Sequence, residues 1–151
     1  MSLKSNFGTF IDRAINELRT GRPIVIKENK NYWMFFNIEH SDNKILNQFN
    51  KYLLNENYLL ITKQKAKSIF DNKISSNIFL KIDKKISNKS ILNLFINPLS
   101  NKNKLLFKNE DQNRSKDFHN VCLDIAKNAK VIPSLVFKKI NSKYYKNINN
   151  L

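Results

Sequence analysis

Glu17-Leu18-Arg19-Thr20-Gly21-Arg22-Pro23-Ile24-Val25-Ile26 is where the chain changes its hydrophobic period. Ahead of it, Phe7, Phe10, Ile11, Ala14, Ile15 and Leu18 recur every three to four residues, the spacing that lines side chains along one face of a helix. Gly21 is placed to stop that helix. A glycine just past the last turn takes φ > 0 without steric cost, and Pro23 cannot rejoin a helix, so the chain is expected to turn into an apolar strand at Ile24-Val25-Ile26.

Working outward, residues 27–31 read as a polar turn and 32–36 (Tyr-Trp-Met-Phe-Phe) as the second arm of a hairpin ending at Ile38-Glu39-His40. Ser41 is positioned to cap a helix whose apolar face is Ile45, Leu46, Phe49, Tyr52 and Leu53. Residues 58–61 form a short apolar run expected to be a central strand, and Thr62 an N-cap for a basic helix over 63–70. A strand at 78–82, a helix over about 88–96, a weak strand at 105–107, a long helix from about Arg114 to Ala129 and a last strand at 135–137 complete the order. Phe118, Val121, Cys122, Ile125, Ala126 and Ala129 mark one face of the long helix. Strands alternating with helices predict an α/β (α+β) fold, a layered mixed sheet flanked by helices. All 151 residues are read as one domain, with 1–6 as a tag or disordered start and 141–151 as a linker.

Composition narrows the function classes. No apolar run approaches the roughly 18 residues of a membrane span, and no signal peptide opens the chain, so a cytoplasmic protein is expected with no membrane partner. The single cysteine, Cys122, falls on a periodic apolar face and excludes both an intrachain disulfide and a cysteine-rich zinc site. A formal charge of +15 raises a nucleic-acid-binding module as an alternative. Most of that charge is lysine scattered among asparagine, isoleucine and phenylalanine, the signature of A/T-rich coding, and no recognised binding motif accompanies it. A nucleic-acid partner is therefore not expected. Arg19, Arg22 and Lys27 gather near the Gly21 corner, where they could hold an anion such as phosphate; the simpler reading is solvated charge around a cap.

Leu18-Arg-x-Gly21-Arg22-Pro23-Ile24-Val25 is similar to the opening of the 3,4-dihydroxy-2-butanone 4-phosphate synthase family of riboflavin biosynthesis. Three further blocks resemble that family in order and spacing. Phe35-Phe36-Asn37-Ile38-Glu39 is similar to its apolar strand ending in Ala-Ala-Glu, and Ile61-Thr62-Lys63-Gln64-Lys65-Ala66 to its Leu-Thr-x-x-Arg-Ala segment, with lysine for arginine. Residues 123–136 resemble its Val-Asp-Leu-Ala-Arg-x-Ala-Gly-Leu-x-Pro-x-Ala-Val.

The departures bear on chemistry. In the synthases the loop after the first strand is densely acidic, because magnesium needs oxygen ligands and enolisation of a sugar phosphate needs a base. Here that loop is Lys27-Glu28-Asn29-Lys30-Asn31, with one carboxylate between two lysines. The family's Gly-His-Thr-Glu-Ala segment would put its histidine at Phe118. His119 is one residue off, about 100° around a helix, and is expected at the surface; His40 is expected to be structural.

The resemblance therefore implies a degenerate synthase-like domain, as found N-terminal to the cyclohydrolase domain of α-proteobacterial and bifunctional GTP cyclohydrolase II proteins. It implies a homodimer joined to a C-terminal GTP cyclohydrolase II domain, no catalytic residues and no cofactor. The alternative is an active synthase with an altered site, its weak candidates being Glu28, Glu39 and His119, and magnesium as its ion.

Overall fold

The Gly21 corner forms as its residues dictate. In the computed structural model, which describes residues 3–39, 41, 43–69, 74–83, 89–90, 112–114 and 117–145, helix α1 (Leu3–Arg19) ends in a Schellman cap. The Gly21 amide donates to Leu18 O at 3.3 Å and the Arg22 amide to Glu17 O at 2.9 Å, with Gly21 at φ 76°. Strand β1 (Ile24–Glu28) follows and pairs antiparallel with β2 (Asn31–Asn37). The turn expected over 27–31 is tighter than the sequence suggested. Only Asn29 and Lys30 stand outside the ladder, and Asn29 takes φ 54°, a region asparagine tolerates better than most residues.

The helix expected to run through Leu53 breaks into α2 (Asn43–Asn47) and a 3₁₀ turn (Asn50–Tyr52), because Leu53 already enters β3 (Leu53–Ile61). The polar residues 55–57 conceal the first half of this strand, whose register against the last strand shifts between Leu53 and Asn57. Thr62 caps α3 (Lys63–Ile69) as its sequence predicts: the Lys65 amide donates to Thr62 Oγ1 at 3.2 Å. Strand β4 (Ile78–Ile82) forms as expected. Arg114, the expected start of the long helix, instead ends a short strand β5 (Gln112–Arg114); the helix proper is α4 (Asp117–Asn128). Strand β6 (Ser134–Ile140) and a 3₁₀ turn (Ser142–Tyr144) follow. The helix expected over 88–96 lies outside the described residues apart from Lys89 and Ser90, which are helical, as do His40, the strand expected at 105–107 and residues 146–151.

The six strands form one sheet in the order β1-β2-β6-β3-β4-β5, and every described pairing is antiparallel. The layered α+β architecture with helices on both faces is as expected, but the sheet is antiparallel in every described pairing where a mixed one was expected, because each strand here neighbours one that runs back alongside it. Period-two alternation divides the core. Met34, Phe36, Leu59, Ile61, Leu80 and Val136 face α2 and α3. Trp33, Phe35, Leu60, Phe79, Leu135 and Phe137 face α1 and α4. No helix among the described residues is long and apolar enough to cross a membrane.

Helix α4 repeats the cap of α1 without glycine. The Lys130 amide donates to Lys127 O at 3.0 Å and the Val131 amide to Ala126 O at 3.3 Å, and Lys130 sits at φ 57°. A lysine there bears the Cβ clash that glycine avoids. Lys130→Gly is expected to raise stability by roughly 0.5–1 kcal/mol despite greater freedom in the unfolded chain; an unchanged or lower urea midpoint would count against this cap geometry.

Candidate functional site

The residues at the Gly21 corner part company in space. Arg19 reaches across to the end of α4, where its Nε donates to Ala129 O at 3.1 Å and its Nη2 to Asn128 O at 3.4 Å, placing a cation on the negative end of that helix. Arg22 is exposed and lines a groove with Arg13 of α1. Lys27 lies over the Tyr32 ring, 5.5 Å from its centroid. Ile24 and Lys27 are separated by about 10 Å of strand, so the three cations do not form one anion site.

Glu28, Glu39 and His119 do not converge either. Glu28 closes the β1–β2 hairpin opposite Asn31 and accepts from Asn29 Nδ2 at 3.1 Å. Glu39 lies past the other end of β2, roughly 20 Å further along the strand. His119, expected at the surface, is buried at 2% exposure. Its position one turn before Cys122 and Leu123, in phase with Ala126, turns it inward, and it stacks on Phe79 with ring centroids 4.0 Å apart. Val121, read as part of the apolar face, is the exposed one. Among the described residues no three His, Cys, Asp or Glu side chains are grouped to hold a metal. Burial pushes the Cys122 thiol up to about 12, which keeps it protonated and inert.

What the fold does bring together is three of the segments singled out in the sequence. At the end of the sheet where β2 and β3 finish and β6 begins, buried Asn37 donates through Nδ2 to Ile132 O at 2.7 Å and accepts the Glu39 amide at 2.9 Å. The Ile132 amide in turn faces Glu39 Oε2 at 3.4 Å. Thr62, Gln64, Lys65 and Ser68 face Ile132, Pro133 and Ser134 across an open cleft of about 410 Å³. Burial holds the Lys65 ammonium below the usual lysine range. A single lysine beside hydroxyls can hold one anionic oxygen but lacks the two-pronged grip of arginine.

The opposite face of the sheet carries an aromatic layer. Phe35 stacks on Phe137 at 5.0 Å and Tyr58 on Phe79 at 4.7 Å, with Trp33 edge-on to Tyr58, Phe79 and Phe137. Trp33 Nε1 is buried with no hydrogen-bond partner among the described residues. Tyr58 donates to Glu56 Oε2 at 3.4 Å, and burial, then the Glu56 charge and this hydrogen bond, raise its hydroxyl above the usual tyrosine range. The strands that carry Trp33, Phe35, Phe79 and Phe137 are expected from the sequence, but that the four share one face is set by the ladder. Nor does the sequence show that this layer encloses His119, because the helix phase is set by packing.

No protein-family model matches the chain, and no curated protein sequence does. Among solved structures it is similar to RibBX, a two-domain 3,4-dihydroxy-2-butanone 4-phosphate synthase from A. baumannii, with a TM-score of 0.54 at 11% sequence identity. The fold is dihydroxybutanone phosphate synthase-like. The similarity covers 88% of this chain and 48% of the RibBX chain, so this chain spans about half the length of that protein. At this identity the likeness carries the fold and leaves the chemistry to this chain's own residues.

Proposed function

We propose that this chain is a catalytically silent dihydroxybutanone phosphate synthase-like domain, serving riboflavin biosynthesis in the cytoplasm as the dimerising or scaffolding N-terminal part of a GTP cyclohydrolase II protein. The observation that carries the reading is the β1–β2 hairpin. It presents Glu28 as its one carboxylate, already engaged by Asn29, while Glu39 lies at the far end of β2 and His119 is packed among phenylalanines. Enolising a sugar phosphate requires a base and an electrophile within reach of the same carbon, and these three side chains offer no such pair. The synthase-like fold and the four sequence blocks support the riboflavin-related part of this reading.

Incubated with ribulose 5-phosphate and magnesium, the purified chain is expected to form no dihydroxybutanone phosphate above the uncatalysed background. Turnover abolished by Glu28→Ala would overturn the reading in favour of an active synthase with an altered site. The scaffolding role further expects a homodimer by sedimentation equilibrium.

A further inference from the structure

Strand β1 ends the sheet on its side, so one of its edges has no strand neighbour among the described residues. The two-residue turn at Asn29-Lys30 makes Glu28 and Asn31 the hydrogen-bonded pair that closes the hairpin. Alternation along an antiparallel ladder then turns the N–H and C=O groups of Val25 and Lys27 away from β2, toward the open edge. An outward donor and acceptor pair two residues apart is the template to which a further strand adds.

The ground beside this edge is concave. Helix α1 packs on one face of the sheet and α2 on the other, and between them runs a groove of about 420 Å³. Phe10, Ile24, Val25 and Phe49 give it apolar walls, while Arg13 and Arg22 stand on it exposed, their guanidinium groups with no hydrogen bond or ion pair among the described residues. Glu17 is the one carboxylate on the groove, and Lys27 adds a further cation along the strand. Lysine and proline on an edge strand ordinarily discourage pairing. Here Pro23 precedes the outward pair and leaves it open, and Lys27 repels basic segments only. A second copy of this +15 chain would bring like charges together at the same edge.

We infer that the β1 edge and its groove take up an extended acidic segment of another polypeptide as a seventh strand. Its main chain bonds Val25 and Lys27, its apolar side chains enter between Phe10 and Phe49, and its carboxylates meet Arg13 and Arg22. The inference rests on the edge and the groove and is independent of catalytic silence.

The test uses the 151-residue chain and a blocked seven-residue peptide alternating acidic residues with valine or isoleucine. Three companions are needed: the same peptide with lysine for each acid, the acidic peptide N-methylated at alternate backbone positions, and the protein carrying Arg13→Glu and Arg22→Glu, both exposed and away from the core. The expected result is saturable binding of the acidic peptide with slowed exchange of the Val25 and Lys27 amides, and affinity lower by roughly tenfold or more for each companion. Equal binding of the N-methylated peptide, equal binding by the arginine variant, or no binding at low salt would overturn it. So would protection of the two amides that depends on protein concentration without peptide, which would assign the edge to a second copy.

Discussion

Replacing Phe137 with alanine is expected to destabilise the protein by about 3–5 kcal/mol, enough to remove most of the stability of an ordinary domain. Phe137 is fully buried on β6, directly between Phe35 of β2 and Tyr58 of β3 in the ladder. It stacks on Phe35 and meets Phe79 at 5.4 Å, His119 at 5.7 Å, Trp33 at 6.2 Å and Phe118 at 6.3 Å, so one ring joins three strands to the first turn of α4. Its loss removes the transfer free energy of the side chain and leaves a cavity whose walls, held by the sheet hydrogen bonds, collapse only in part. Urea unfolding checks this through the midpoint at unchanged slope. A shift below about 1 kcal/mol would mean that the aromatic layer is not packed as described.

The second large effect is expected at Asn37. With 1% exposure, its amide holds the Ile132 carbonyl and the Glu39 N–H, closing the end of β2 onto the segment that leads into β6. Asn37→Ala removes both partners at once and leaves backbone groups desolvated, an expected loss of about 2–4 kcal/mol. It also has a local signature that a simple core truncation lacks. The Glu39 amide, freed of its acceptor, should exchange with solvent faster than amides in the centre of β2 under native conditions. Unchanged exchange at Glu39 would remove the side-chain clasp as the cause.

The sequence and the structure agree most where the deciding residues are neighbours. The α1 stripe, the Gly21 stop, the Thr62 cap and the strand β4 each depend on contacts within a few residues, and each appears as expected. Disagreement begins where a distant partner overrides local preference. Residues 55–57 are polar and fall between the expected helix and the expected strand, yet β3 runs through them, and Asn57 pairs with both Ile82 and Lys138. Arg114 carries helical company in the sequence but pairs with Ile78 instead. Val121 and His119 exchange their expected places because they lie about 200° apart around the helix, and packing decides which of them meets Phe79.

The candidate site divides the same way. That Glu28 stands as the one carboxylate between two lysines in its loop is plain from the chain itself. Which cations gather is not. Arg19 is claimed by a carbonyl 110 residues away, and Arg22 shares its groove with Arg13, which no local pattern marked. By itself the sequence determined the helix stop, the hairpin and the sparse carboxylates of the first loop, since all are settled by backbone sterics and near neighbours. Only the tertiary structure decided the antiparallel strand order, the burial of His119, the Asn37 clasp across 95 residues and the open β1 edge between α1 and α2. These depend on which surfaces remain once the largest apolar faces have been buried, and that balance belongs to the whole chain.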